Sequence, residues 1–172
     1  TCELYFDNVK IPAKNLIGNE GEGFKIALAT LDGGRIGIAS QALGIAQASL
    51  NASVAYSNER IQFGKPISKN QAIQFKIADM GMEIEAARLL IRQAAWKKDQ
   101  KQNYGHLASM AKVYASEVAM RASTQCVQIH GGFGYMRESG IERLMRDAKI
   151  TQIYEGTSEI QRVVIARELL KK

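Results

Sequence analysis

The sequence predicts an all-α protein, built as an antiparallel four-helix bundle with one short strand at its N-terminus. The first observation is composition: alanine, leucine, isoleucine, methionine and glutamine dominate the middle of the chain, and the two prolines are Pro12 and Pro66. The second is periodicity, because apolar residues recur every three or four positions over long segments, as one buried helix face requires. The third is the shortness of the connections, which places successive helices side by side.

The first eleven residues alternate between apolar and polar side chains, which is typical of a strand. The apolar positions are Cys2, Leu4, Phe6 and Val9. Pro12 closes the segment, since proline cannot continue a strand ladder. A lone strand has no partner in a helical bundle, so we interpret residues 1–20 as the tail of an upstream β domain with its linker. Residues 21–172 are interpreted as the helical-bundle domain.

The predicted helices follow one another along the rest of the chain, separated by glycine-containing or polar breaks. They span 24–31, 36–60, 68–101, 105–129, 141–147 and 158–172. The glycines of Asp32-Gly-Gly-Arg35 are expected to break the first helix, and Gly131-Gly132 is expected to end the helix before it. Ser68 and Gln71 form a capping-box pattern that predicts the start of the second long helix.

Charge and residue types exclude several functional classes. The net charge of +6 and the pI near 9.4 fit either an anionic ligand or an ordinary solvated surface. No basic run is interleaved with aromatic residues, so nucleic acid binding is not expected. The histidines (His106, His130) and the cysteines (Cys2, Cys126) lack the spacing of metal ligands, so no metal is expected. No apolar run is long enough for membrane insertion, and no signal-peptide pattern is present.

The stretch from Ile153 to Gln161 is the strongest candidate for chemistry. Glu155 precedes Gly156, whose missing side chain lets a ligand approach the main chain. Ser158 stands three residues before Gln161, a capping-box pattern that predicts a helix N-terminus, and such an end attracts anions. A poorly solvated carboxylate at this place can act as a base near neutral pH. The alternative is that Glu155 only completes the helix cap.

Three further sites could bind a ligand, and each has an ordinary alternative. Arg35 follows the predicted helix break, so its guanidinium could reach a site instead of lying along a helix face. Arg60 ends a long helix near Phe63, and this pair could hold a phosphate and stack on a purine. Residues 128–132, Gln-Ile-His-Gly-Gly, expose main chain to a passing ligand. The alternatives are a surface arginine, a charge at a helix C-terminus and a glycine helix stop.

Six motifs taken together resemble the C-terminal helical domain of the acyl-CoA dehydrogenases, with the short-chain (butyryl-CoA) members most similar. They are Gly21-Glu-Gly-Phe24, Asp32-Gly-Gly-Arg-Ile-Gly-Ile-Ala39, Glu59-Arg-Ile-Gln-Phe-Gly-Lys65, Gln128-Ile-His-Gly-Gly132, Arg146-Asp-Ala-Lys149 and Ile153-Tyr-Glu-Gly-Thr-Ser-Glu-Ile-Gln161. Each motif alone is weak, but together they cover essentially the whole chain in order and are highly specific. The family combines an N-terminal helical domain, a middle β domain and this bundle.

The resemblance implies an FAD-dependent oxidation of acyl-CoA thioesters to trans-2-enoyl-CoA, as in fatty acid β-oxidation. In the family a glutamate removes the α-proton while a hydride leaves the β-carbon for the flavin, and Glu155 matches that glutamate. The main-chain N–H of the base residue and a flavin hydroxyl polarise the thioester carbonyl in the family. Some members carry the base on the long helix instead. Gly34 occupies that position here and cannot act as a base.

The resemblance also implies binding roles for residues on both sides of the base. Contacts with the substrate are expected from Phe24, Asp32, Gly33, Gly34, Arg35, Tyr154 and Gly156. Contacts with FAD in the same subunit are expected from Thr157, Ser158 and Glu159. Contacts with the FAD of a neighbouring subunit are expected from Arg60, Phe63, Gln71, Gln128, Ile129, His130, Gly131 and Gly132. His130 stands where many relatives carry leucine, toward the expected adenine end of the flavin.

The implied partners are an acyl-CoA substrate, further copies of the chain in a homodimer or homotetramer, and an electron-transferring flavoprotein as acceptor. The implied location is the bacterial cytoplasm or the mitochondrial matrix. The 172-residue chain on its own is expected to be inactive. Two alternatives stay open: a stand-alone helical oligomerisation module without activity, and an acyl-CoA oxidase that passes electrons to oxygen. A nucleic-acid-binding flavoprotein relative is suggested only by the pI.

Overall fold

Helices make up most of residues 2–171, which are the residues that the computed structural model describes. They are α1 (Gly23–Glu59), α2 (Gln71–Asp99), α3 (Gly105–His130), α4 (Gly132–Tyr135), α5 (Ile141–Thr151) and α6 (Ser158–Leu169). A hairpin of β1 (Ile61–Gln62) and β2 (Lys65–Pro66) joins α1 to α2. The all-α bundle predicted from the sequence is confirmed. Thr1 and Lys172, the outer ends of the predicted strand and last helix, lie outside the described residues.

α3 is the central helix and packs against α1, α2, α5 and α6. Its buried positions are mostly alanines and serines, and Ala111, Ala115 and Ala119 are fully buried. Small side chains let helix axes approach closely, so neighbouring ridges fit into the grooves of α3. Larger side chains from α2, such as Met80 and Ile84, fill the remaining core. On the buried side of this helix a charged residue, Lys112, is enclosed by protein, whereas Arg121 is exposed.

α1 is one continuous helix of 37 residues, so the break predicted at Asp32-Gly-Gly-Arg35 is wrong. A glycine inside a helix costs about 1 kcal/mol relative to alanine. Packing of α1 against α3 outweighs that cost, because Ala39, Ala42 and Ala46 are fully buried between them. Position 35 consequently lies on the helix, one turn before this buried stripe.

The α1–α2 connection is more ordered than the loop expected from the sequence. β1 and β2 pair in an antiparallel ladder around Phe63 and Gly64, whose φ angles are +51° and +79°. Two successive positive φ angles are typical of the tight hairpin turn that matches strand twist. The predicted Ser68 cap is not formed, because Ser68 lies inside a 3-10 turn and Asn70 directly precedes α2. Gln71 is the first residue of α2 and makes no capping box.

The N-terminal segment does not form the predicted strand. Residues 2–12 have no regular secondary structure, and their apolar side chains, including Leu4 and Phe6, are exposed. A strand needs a neighbouring edge to satisfy its main-chain hydrogen bonds, and residues 13–171 offer none to this segment. The alternating pattern therefore indicates a strand only if another sheet supplies the edge. The boundary proposed at residue 20 stays a prediction.

The remaining helices differ from their predicted bounds in small ways. Gly131, with φ of +63°, ends α3 as expected, but α4 forms one helical turn where a loop was predicted through Tyr135. α5 extends four residues beyond the predicted end at Asp147, to Thr151. No helix within residues 2–171 is long and apolar enough to cross a bilayer.

Candidate active site

The turn between α5 and α6 holds an unusual main-chain conformation. Glu155 and Gly156 have φ angles of +54° and +86°, so two successive residues are left-handed. Glycine adopts such angles freely, whereas a glutamate held there is strained and persists only where its surroundings fix it. Thr157 caps α6, accepting a hydrogen bond from the Ile160 N–H at 3.4 Å. The predicted Ser158 cap is therefore one residue late, since Ser158 already belongs to the helix.

Three hydrogen bonds hold this turn by its carbonyl oxygens. Gln161 Nε2 donates to the carbonyls of Glu155 and Gly156, at 3.0 and 2.9 Å. Lys112 Nζ, from the centre of α3, donates to the Gly156 carbonyl at 2.8 Å. Both donor side chains are 0% exposed. A β-carbon at position 156 would lie 2.7 Å from Gln161 Nε2, so the glycine also makes room for this clamp.

Sequence reasoning missed Lys112 and read Gln161 only as a capping partner. The available signal was a single charge within the apolar face of α3, between Ala111 and Ala115, which are both fully buried. Burial first, and the nearby Arg35 guanidinium second, lower the pKa of Lys112 to about 8. Three acidic groups oppose this shift in part: Glu159, Glu117 and Glu155. A lysine pKa near physiological pH marks a candidate functional region.

The side chain of Glu155 lies against α1 at Gly34. A β-carbon added to Gly34 would be 2.4 Å from Glu155 Oε2 and 3.0 Å from its carboxyl carbon. Oε2 is buried and accepts no hydrogen bond within residues 2–171. The carboxylate does not cap α6, because Thr157 performs that role. The structure thus removes the helix-cap alternative and leaves a buried carboxylate oxygen free to accept a proton.

Arg35 follows Gly34 on α1, but its side chain is not placed as the sequence suggested. It sits within α1 and is 7% exposed, with Nη1 2.6 Å from Asp32 Oδ1 and 3.2 Å from Ser109 Oγ. Because the guanidinium is held inside the bundle, the prediction that a helix break frees it is wrong. Its positive charge instead contributes to a buried polar cluster that includes Lys112.

The other predicted substrate residues are at different distances from the carboxylate. Tyr154 donates its hydroxyl hydrogen to Gln41 Oε1 at 2.5 Å, which places its ring beside α1. Gly33 lies next to the side chain of Lys98, since an added β-carbon would be 3.2 Å from Nζ. Phe24 is exposed at the start of α1, about 15 Å along the helix axis from Gly34. Phe24 therefore does not line the immediate surroundings of Glu155 in this chain.

The predicted flavin-binding residues fall into two separate groups, one beside the middle of α3 and one at its C-terminal end. Thr157, Ser158 and Glu159 line a groove at the N-terminus of α6, together with Lys149 and Gln152. Arg60 and the main chain of 129–132 line a second groove, with a volume of about 530 Å³. Glu117 of α3 also lines the first groove and His130 lines the second, and the 13 residues between them correspond to about 20 Å along the helix axis. The structure therefore does not bring all predicted cofactor residues together within one copy.

The second groove has an aromatic wall. The His130 ring stacks on Tyr56 with centroids 4.2 Å apart, and Nδ1 lies 2.8 Å from the Cys126 carbonyl oxygen. Phe63 is outside this groove, 97% exposed at the tip of the hairpin. Gln71 and Gln128 are also exposed and do not line it. An exposed aromatic ring at a hairpin tip is suited to contact another molecule.

No cluster of three or more histidine, cysteine, aspartate or glutamate side chains in residues 2–171 is arranged to hold a metal ion.

The chain matches the family model described as "Acyl-CoA dehydrogenase, C-terminal domain" over residues 21–170. It is 58% identical over 171 residues to the short-chain specific acyl-CoA dehydrogenase of Megasphaera elsdenii, covering 99% of this chain and 45% of the relative. It is 57% identical to the mitochondrial short-chain specific enzyme of Rattus norvegicus, with 99% and 42% coverage. The solved butyryl-CoA dehydrogenase of Megasphaera elsdenii superposes with a TM-score of 0.95 at 58% identity, covering 96% of this chain and 43% of that structure.

The chain therefore belongs to the acyl-CoA dehydrogenase family, as its C-terminal helical domain. The family expected from the sequence motifs is confirmed. The chain spans less than half the length of the curated relatives it matches. The catalytic and binding roles of its individual residues remain proposals.

Proposed function

We propose that this chain is the C-terminal domain of a flavin-dependent acyl-CoA dehydrogenase that oxidises short-chain acyl-CoA to trans-2-enoyl-CoA. One observation carries the proposal: a buried, unpaired Glu155 oxygen stands on a strained turn against a glycine of the neighbouring helix. Strained residues that their surroundings hold in place cluster at active sites. The identity to short-chain relatives supports the substrate class.

In the proposed reaction Glu155 takes the α-proton of the thioester. That C–H is a poor acid in water, so the thioester carbonyl has to be polarised by hydrogen-bond donors as charge develops on its oxygen. Neither the Glu155 nor the Gly156 N–H donates to another main-chain group within residues 2–171. The carbonyls of the same two residues are engaged by Gln161 and Lys112. The turn thus combines a base with free main-chain donors.

The groove at the N-terminus of α6 fits a polar cofactor. The Ser158 hydroxyl is buried and has no partner within residues 2–171, and it faces the groove that Thr157 and Glu159 also line. A helix N-terminus adds main-chain N–H donors and a partial positive charge. These three residues would hold FAD, which when bound accepts the hydride that leaves the β-carbon.

The second groove fits the other end of a flavin held mainly by a neighbouring copy. The separation of about 20 Å between the two grooves along α3 supports this arrangement, in which the two groups of residues contact different cofactors. Arg60 can pair with a pyrophosphate and the exposed Phe63 ring can stack on a planar group. A homodimer or homotetramer, an electron-transferring flavoprotein as acceptor, and a bacterial cytoplasmic or mitochondrial matrix location all belong to this proposal.

The decisive experiment replaces Glu155 by glutamine in the full-length protein, meaning a chain of the relatives' length. The change keeps side-chain shape but removes the base, and loss of a general base typically costs about 100- to 10,000-fold in rate. Stopped-flow absorbance of the flavin band with saturating butyryl-CoA measures the reduction rate. Glu138→Gln, which changes an exposed carboxylate in the 3-10 turn before α5 with no proposed binding role, is the matched control and is expected to stay within about threefold.

Substrate binding separates the base role from a binding role. Glu155→Gln is expected to perturb the flavin spectrum on addition of butyryl-CoA, without bleaching it, because the main-chain donors remain. A reduction rate within a few-fold of the unsubstituted protein would contradict the catalytic assignment. Stoichiometric hydrogen peroxide production during turnover would instead favour the acyl-CoA oxidase alternative.

A further inference from the structure

Lys112 is a charged side chain without any exposed surface, and it is enclosed at the centre of the bundle. Burying an ammonium group is costly unless it forms hydrogen bonds or ion pairs. Its Nζ makes one hydrogen bond within residues 2–171, to the Gly156 carbonyl oxygen at 2.8 Å. That carbonyl belongs to the residue directly after the proposed base.

The surroundings of Lys112 contain groups from every part of the proposed site. Arg35 approaches from α1, Glu117 from its own helix α3, Glu155 from the turn and Glu159 from α6. None of these four side chains is recorded within ion-pair distance of Nζ, so the Gly156 carbonyl is its direct partner. A lysine whose role was only to neutralise an acid would sit on a carboxylate instead.

The Gly156 carbonyl oxygen accepts two hydrogen bonds, which together fix the orientation of its peptide group. Lys112 approaches it from α3 and Gln161 approaches it from α6. The left-handed angles of Glu155 and Gly156 turn their carbonyls toward the bundle. Each donor favours this orientation over the alternative in which the peptide rotates and the carbonyl faces outward. The Gly156 peptide is therefore held from two helices at once.

We propose that Lys112 is a positioning residue for Glu155: by holding the Gly156 carbonyl toward α3 it keeps the turn left-handed and aims the Glu155 carboxylate at Gly34. The catalytic consequence rests on the proposed function, whereas the structural consequence does not. If the Gly156 carbonyl is released, we expect the turn to leave its left-handed conformation. The Glu155 carboxylate then moves away from Gly34, and the N–H groups of Glu155 and Gly156 change orientation. A shift of about 1 Å in a catalytic group can lower a rate about 100-fold.

The test uses the full-length protein with Lys112→Met, which keeps the length of the side chain and removes the donor. Amide hydrogen exchange of a peptide covering 153–161, followed by mass spectrometry, reports the turn directly and does not depend on activity. Loss of one hydrogen bond to a charged group predicts exchange faster by about 10- to 100-fold in this peptide. Lys76→Met is the matched control, because Lys76 bonds Gln125 between α2 and α3, away from the turn. It should leave the peptide unchanged within about threefold.

Kinetics give the second readout. In Lys112→Met, kcat for butyryl-CoA is expected to fall about tenfold or more while KM changes less than about threefold, because base position rather than binding is altered. Lys112→Arg keeps the cation and its donors and should recover most of the exchange protection. If Lys112→Met does not fold, Lys112→Gln serves in the same comparison, since its shorter side chain stays polar but does not reach the carbonyl.

Each outcome bears on the proposal separately from the proposed function. Unchanged hydrogen exchange of peptide 153–161 in Lys112→Met and Lys112→Gln overturns the proposal. An equal loss of exchange protection in Lys112→Met and Lys112→Arg also overturns it, because the cation and its donors would then not matter. If Lys112→Met exchanges faster but keeps its kcat, Lys112 holds the turn through the Gly156 carbonyl but does not position the base, and the positioning role is overturned. If the unsubstituted protein does not oxidise acyl-CoA, the proposed function fails, and the exchange comparison still decides whether Lys112 holds the turn.

Discussion

Gly34, inside α1, and Glu155, in the turn between α5 and α6, meet at one place in the bundle: a β-carbon on Gly34 would lie 2.4 Å from Glu155 Oε2. Some family members are expected to carry their base at the position of Gly34. The contact gives a physical reason why both arrangements are possible, because a carboxylate from either position enters the same space. It also explains why this chain has no side chain at position 34 while the glutamate is at 155.

Gly34→Ala in the full-length protein tests this contact. Alanine should add helix stability to α1, up to about 1 kcal/mol, but its methyl group displaces the Glu155 carboxylate. We expect flavin reduction by butyryl-CoA to slow by about 10- to 100-fold, because the base is moved. Gly37→Ala, one turn later on α1, is the control: it has open space around it and should stabilise the protein without slowing the reaction. Equal rates in both variants would show that position 34 is not tightly packed against the base.

Arg60→Ala should lower flavin retention in the full-length protein. Arg60 lines the groove that also contains the main chain of 129–132, where a pyrophosphate could bind. The flavin content after gel filtration, measured by absorbance, is expected to fall, and to fall further at high salt because a charge contact is screened. Arg92→Ala, an exposed arginine on α2, is the control. Full flavin occupancy in Arg60→Ala at high salt would contradict the cofactor role of this groove.

The 172-residue chain alone should fold as a helical bundle without oxidising acyl-CoA. Its core is continuous through α1, α2 and α3, so circular dichroism should show strong helical minima. Its apolar side chains from Leu4 to Phe24 are exposed, which indicates that this segment needs a covering surface from elsewhere. Reduction of a dye acceptor by this chain with FAD and butyryl-CoA would contradict the second half of the prediction. A spectrum without helical minima would contradict the first.

The sequence was sufficient for most of the helices and for the turn at Glu155, because both are encoded locally. The role of Glu155 as the base stays a prediction. Apolar periodicity located α2 and α3, and the motif around Glu155 and Gly156 located the turn. The break at Asp32–Arg35 was wrong because glycine propensity is a weak local preference, which the packing of α1 on α3 overrides. The cap at Ser158 was displaced by one residue to Thr157, a shift that the capping pattern alone does not resolve.

Lys112 could not be assigned from the sequence for a different reason. A lysine in a helical pattern ordinarily indicates the solvated face. Only tertiary structure shows that α3 is surrounded by other helices, so that its side with Lys112 faces the turn and not water. The predicted strand is wrong for a related reason, since alternation in residues 2–12 does not supply the neighbouring strand edge that a strand requires. Sequence patterns along a segment predict its secondary structure, whereas the segments that pack against it determine which side chains are buried.

The free energy of unfolding should depend on pH through the proton of Lys112. Its pKa is lowered in the folded chain to about 8, from an ordinary value of 10.5, by burial first and by Arg35 second. Between these two pH values the unfolded chain binds the proton and the folded chain releases it. The unfolded state therefore binds more protons in this window, and the free energy of unfolding should rise with pH there. Below pH 8 both states are protonated, so this contribution becomes flat.

Urea denaturation of the 172-residue chain at pH 7.0, 8.5 and 9.5 measures this slope against Lys112→Met, which has no proton to release. The difference in unfolding free energy between the two chains should change steadily from pH 8 upward, with the unsubstituted chain gaining relative to the variant. Lys76→Met keeps Lys112 and should follow the unsubstituted chain. The acidic groups facing Lys112, namely Glu117, Glu155 and Glu159, are present in both chains, so the difference between the chains isolates the Lys112 proton. Parallel curves for the unsubstituted chain and Lys112→Met would show that the ammonium is solvated in the folded state, contrary to its enclosed position.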